Sequence, residues 1–155
     1  MRMDELMTRL HRIDAGLRVR YAEDDPELTM PPPTPQDLER VEAALGLRLP
    51  DSYRDLLLHY GAGMPLDTPV NWYRAANRSG YRGLIESNAN RPVPHLVYIL
   101  DCGDGDNIAL DLSRRDGNGE PVVVRTDHEA LDERTTDVAP NLIEFIVASA
   151  RLGEG

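Results

Sequence analysis

Lysine is absent from this chain: all 17 basic residues are arginine, set against 27 aspartates and glutamates, for a formal net charge of −10. The exclusive use of arginine fits the codon habit of a GC-rich genome. The shortage of positive charge is a physical constraint, because a field of this sign repels nucleic acid and anionic membrane and favours encounter with a basic partner. Direct nucleic-acid binding and membrane binding are therefore not expected. Cysteine is almost missing as well. Cys102 stands alone, so no internal disulfide can form, and a reduced, cytoplasmic setting is expected. No apolar run approaches the roughly 18 residues of a membrane span. The opening MRMDELMTRLHRIDAG has acids within its first five residues and lacks the apolar centre of a signal peptide. It reads as an amphipathic helix with Met3, Leu6, Met7, Leu10 and Ile13 on one stripe. Repeats are absent too, and 155 residues is one domain's length, enough to bury roughly 68–70% of the unfolded surface without staples.

What is present reads as helices, then a sheet, then a closing helix. AEDDPELTMPPPTP (22–35) is polar and proline-rich, a stiff spacer. The organisation is then an N-terminal helix plus spacer over 1–33 and one domain over 34–153. Thr34 has the place of an N-cap, with Pro35 at the first helical position and Asp37 three residues after the threonine. Leu38, Val41, Ala44 and Leu45 mark one face of the helix it opens, which ends at Gly46. Pro50 and Asp51 start a second helix. Its buried face is Tyr53, Leu56, Leu57 and Tyr60, and Gly61 or Gly63 closes it. The corner between the two helices is LRL, with Leu47 and Leu49 expected in the core. PVNWYRA and YRGLIE read as strands or strand-like arms. HLVYIL and NIALDL flank the turn DCGDGD, and SRRDGNG leads to EPVVVRT, so the spacing predicts an antiparallel meander over 95–101, 107–112 and 120–126. PNLIEFIVASARLG predicts a last helix with Leu142, Ile143, Phe145, Ile146 and Ala150 inward, Ser149 allowing close approach. The fold class is α+β.

Few constellations invite chemistry. Four aspartates in DCGDGDNIALD could offer oxygen ligands, yet the calcium-loop glycine and the glutamate at its twelfth position are missing, and a hairpin turn wants Asp and Gly regardless. Cys102 lies among acids, the opposite of what a reactive thiolate needs. The four histidines show no ligand spacing, and there is no nucleophile elbow, P-loop or dinucleotide fingerprint. No catalytic residue, metal or cofactor is expected. The adjacent Trp72 and Tyr73 stand out in a chain with one tryptophan and one phenylalanine. Such a pair serves either a core and strand edge or a protein interface, where Trp and Tyr concentrate binding energy. Charge is uneven as well: residues 101–137 hold eleven acids and four arginines, −7 of the formal −10.

The stretch PTPQDLERVEAALGLRLPDSYRDLLLHYGAG resembles the signature of the SMI1/KNR4 family, also called the SUKH superfamily. The matching residues are Leu38, Val41, Leu45, Gly46, Leu49, Pro50, Tyr53, Leu56, Leu57, Gly61 and Gly63. Tyr60 and Ala62 depart from the Asn-Gly-Gly-like corner of many members. LVYILDCGDGDNIALDLS resembles the family's middle hairpin, PVVVRTDHEA and the closing helix fall where its last strand and helix belong, and the resemblance spans about 34–150. It implies an α+β binding domain. Bacterial members are commonly immunity proteins that bind and block a toxin encoded beside them, often a nuclease; fungal relatives are regulatory scaffolds. The expectation is thus a non-enzymatic immunity protein with a basic partner, the toxin domain of a neighbouring gene. A regulatory adaptor for another partner is the alternative, and oligomeric state is left open. The partner-binding residues expected are Asp101, Asp104 and Asp106 of the acidic turn, with Asp111, Glu120 and the Trp72/Tyr73 pair beside it.

Overall fold

The computed structural model describes residues 2, 4–6, 8–9, 32–60, 73, 75, 83–89, 91, 93–129 and 134–149. Residues 4–6 and 8–9 are helical, and Leu6 is buried in the main core. Helix α1 (Pro35–Leu45) begins with the expected capping box. Asp37 N donates to Thr34 Oγ1 (3.2 Å) and Thr34 N to Asp37 Oδ2 (2.8 Å), so two N-terminal donors are satisfied reciprocally. Gly46 ends it at φ 72°, a backbone state glycine enters without a Cβ clash. Leu38 and Val41 are buried, while Ala44, expected on the same face, is exposed. The corner is clamped by Glu42, which accepts from Leu49 N (2.8 Å) and pairs with Arg54. That clamp holds Leu49 in the core while Leu47 packs partly buried against it. Helix α2 (Asp51–Tyr60) buries Tyr53, Leu56 and Leu57 completely. The Tyr60 side chain and the glycine corner after it lie outside the described residues.

A short helix α3 (Leu84–Asn88) stands where YRGLIE suggested a strand. Only Gly83 keeps a bridge. The segment turns helical because Leu84 and Asn88, four residues apart, both face inward. The strand expected at PVNWYRA lies mostly outside the described residues; within it, Tyr73 N donates to Ile99 O (3.0 Å).

Strands β1 (Leu96–Asp101), β2 (Asn107–Arg115), β3 (Pro121–Thr126) and β4 (Thr135–Ala139) form one antiparallel sheet in sequence order. Three are the expected meander; β4 is a fourth strand that the sequence reading missed. Its burial is exposed throughout except Ala139, so no apolar alternation betrays it. Val97, Ile99, Ile108, Leu110 and Val123 face the helices in the main core. Leu96, Ala109 and Val124 form a small second cluster on the other face. Helix α4 (Leu142–Ser149) starts two residues after Pro140, capped by Asn141 Oδ1, which accepts from Glu144 N (2.9 Å). Leu142 and Ile146 are its fully buried residues, while Ala150 and the Ser149 side chain lie outside the described residues.

Candidate functional site

In a meander, the first and third turns lie at the same end of the sheet. Here the β1–β2 turn (102–106) and the start of the β3–β4 connection (127–129) meet there. Gly103 and Gly105 carry the first turn at φ 87° and 100°, closed by Cys102 N to Asp106 O (3.0 Å). Asp101 Oδ1 accepts from Gly103 N (2.8 Å) and Asp104 Oδ1 from Asp106 N (3.0 Å). Half of each carboxylate is thus spent on shaping the loop.

Arg125 and His128 bind this turn to the end of β3. Arg125 donates through Nε to Asp106 Oδ2 (3.0 Å) and through Nη2 to Asp104 Oδ2 (2.6 Å). His128 donates through its backbone N to Asp106 Oδ1 (3.0 Å), and its Nδ1 lies 2.5 Å from the same oxygen. The hydrogen bonds from His128 N and Nδ1, followed by those from Arg125, hold the Asp106 carboxyl well below its usual range. In return, the bond to Asp106 raises His128 above the ordinary histidine value. The imidazole ring covers Gly105 so closely that a Cβ there would lie 2.8 Å from it.

Asp106, Asp127 and His128 bring one ligand atom each within 4.8 Å of one another. The Arg125 guanidinium already supplies a cation to Asp106, however, and His128 Nδ1 is engaged by the same carboxylate. The group is best described as an ion cluster that satisfies itself. Cys102 beside it is half-buried. Burial pushes its thiol up, with Arg125 opposing and the nearby aspartates adding to the rise, which suits a packed thiol better than a nucleophile. The negative charge left facing solvent at this end belongs to Asp104, Asp127 and Glu129, with Asp101 half-buried at the rim. The Glu129 side chain is 83% exposed, against 54% for Asp104.

The other expected residues are placed elsewhere. Asp111 is only 5% exposed. Burial pulls its carboxyl upward, but hydrogen bonds from the Ser113 hydroxyl (2.6 Å), Arg114 Nε (3.0 Å) and Ser113 N (3.0 Å) outweigh that and leave it below its usual value. Arg114 continues to Asp137 with two bonds of 2.6 and 3.0 Å, so Asp111 anchors a chain of charge across β2 and β4. Glu120 sits at the opposite end of nine-residue β2, roughly 25 Å away by strand rise, where it accepts from the Ser52 hydroxyl (2.5 Å). There it borders a polar cleft of about 280 Å³ with Arg48, Asp51, Arg115 and Asn118, whose charges balance. Tyr73 is 4% exposed and its hydroxyl donates to Asn107 Oδ1, beneath the acidic turn. Trp72 lies outside the described residues.

Arg125, His128, Asp127 and Glu129 were not singled out from sequence. The signal existed, since a third strand ending at Thr126 must deliver TDHE to the end of the sheet that holds DCGDGD.

The helix–corner–helix, the meander and the closing helix agree with a family-level match: the SMI1 / KNR4 family (SUKH-1) model matches residues 32–148. The chain belongs to this family. SUKH proteins are known for immunity functions, in which the partner is a protein such as a toxin. No curated protein matches the chain. Among the described residues, no SUKH-domain helix is long and apolar enough to cross a membrane.

Proposed function

We propose that this SUKH protein is an immunity protein that binds and neutralises a cognate toxin, a nuclease, by one-to-one association in the cytoplasm of a bacterium. The observation that carries the reading is the acidic end of the sheet, where Asp104, Asp127 and Glu129 are exposed, with Asp101 half-buried at the rim, around a turn held by Arg125 and His128. A nuclease holds its substrate through cationic contacts to phosphates. A preorganised acidic surface competes for those cations and steers the encounter. Asp106 shapes this surface from within, and Tyr73 supports it from below. No catalytic step is assigned to the chain.

The test is calorimetric titration with the C-terminal domain encoded by the adjacent upstream gene, at low and high salt. Tight one-to-one binding that weakens with salt is expected, and Asp104→Arg with Glu129→Arg should slow association and flatten the salt dependence. Absence of binding at both salt concentrations refutes the reading.

A further inference from the structure

His128 has two parts at the acidic end of the sheet. It helps to hold the turn, and its own side chain, 45% exposed, belongs to the surface around it. Nδ1 lies 2.5 Å from Asp106 Oδ1, and Nε2 lies 4.0 Å from the Glu129 carboxylate. The ring also packs against the backbone of Gly105.

The charged groups around this imidazole come from three segments. The β1–β2 turn supplies Asp104 and Asp106, β3 supplies Arg125, and the histidine's own segment supplies Asp127 and Glu129. Arg134, further along the chain, joins the group through its backbone, where its carbonyl accepts from Asp127 N (3.1 Å). Arg125 is already spent on Asp104 and Asp106. Carboxylates therefore dominate the field at the ring, and such a field favours the imidazolium in the free protein.

A basic partner reverses that balance. Cations brought to Asp104 and Glu129 take over the neutralising part of the imidazolium, and like charge beside a histidine disfavours its protonated form. The hydrogen bond survives the loss of the proton, because a neutral ring protonated on Nδ1 still donates to Asp106 Oδ1. The turn keeps its shape while the surface becomes more negative by one charge.

We propose that His128 is a proton-linked brake on partner binding: the basic partner displaces the His128 proton, and the complex is tighter at higher pH. This rests on the inhibitor reading above and adds its regulation. The sign follows from reciprocity, since a partner that weakens proton binding is itself weakened by the proton to the same extent. Affinity is full above the free-chain midpoint of His128 and falls as pH drops through the lower midpoint of the complex. Carboxylates and arginines do not titrate in that range, which histidine alone among ordinary side chains covers. One surface charge at roughly 8 Å from another changes affinity by about threefold to tenfold.

The experiment is a proton NMR titration of the full chain, free and saturated with the upstream-encoded domain, together with affinity between about pH 6 and 8.5. In the complex the His128 midpoint should fall by about 0.5 or more on the pH scale, the counterpart of a threefold change in affinity. His95 lies at the other end of β1, roughly 20 Å away by strand rise, and should keep its midpoint. His128→Gln, which retains a donor, should bind with at least about threefold less change in affinity across the same range than the parent. A His128 midpoint in the complex equal to or above that of the free chain overturns the linkage and leaves the inhibitor reading standing. An equal fall at His95 overturns it as well, since the effect would not belong to the turn. Failure of the domain to bind at any pH overturns both.

Discussion

Asn88 offers the sharpest test of how the sheet is finished. Its side chain is completely buried and makes three hydrogen bonds of 2.8–3.0 Å, to Leu84 O, Tyr98 O and Tyr98 N. Asn88→Ala removes all three, including the two bonds that the Tyr98 N–H and C=O make to it at a half-buried edge. Each such lost bond costs about 1–3 kcal/mol when water cannot replace it. With Leu84 O still served within its turn, the two Tyr98 groups put the loss at about 3–4 kcal/mol. That is a large part of the roughly 5–15 kcal/mol that a domain has in total. At about 2–4 °C per kcal/mol for a chain of this size, the melting temperature should fall by roughly 6–16 °C. Thermal unfolding followed by circular dichroism gives the number, and faster exchange of the Tyr98 amide localises it. A variant that melts within about 2 °C of the parent would refute the idea that this amide substitutes for a strand.

The interior and the acidic turn yield three further expectations. The Tyr53 hydroxyl is buried with no hydrogen-bond partner among the described residues, so Tyr53→Phe should stabilise by about 1 kcal/mol in urea unfolding; destabilisation would show that the hydroxyl is satisfied. His128 is raised above its ordinary value of 6.5 by Asp106, so its ion pair contributes fully below that value and is lost as pH rises through the raised one. A proton NMR titration should therefore show a midpoint above 6.5 that returns to the ordinary value in Asp106→Asn; a parental midpoint at or below 6.5 refutes the pairing. Gly105→Ala should destabilise by about 1–3 kcal/mol, because φ is 100° and the His128 ring stands 2.8 Å from the added Cβ; an unchanged melting temperature would count against that packing.

Much of the architecture is written locally. Thr34, Pro35 and Asp37 specify a helix start through hydrogen bonds that span three residues, and Gly46 specifies its stop through one backbone angle. The three meander strands carry apolar runs between Gly/Asp-rich turns, so both pairing and order can be read along the chain. Tyr53, Leu56 and Leu57 declare a buried face by their spacing alone. These signals suffice for the family resemblance and for the α+β class, because each depends on neighbours within a few positions.

What escaped that reading depends on distant partners. β4 has no hydrophobic signature, being held by its backbone to β3 and exposed on its side chains. Leu84–Asn88 is helical because Asn88 must reach β1, ten residues further on, and nothing within YRGLIE records that need. At the acidic turn, composition by itself shows a run of negative charge; only the folded sheet brings Arg125 and His128 against Asp104 and Asp106, buries Asp111, and carries Glu120 to the far end. Local hydrogen bonding and side-chain spacing settle which elements form, and those lie within reach of a linear sequence. Which charges remain free to meet a partner is settled by contacts across some twenty residues of chain, such as Asp104 with Arg125, and these exist only once the strands have paired.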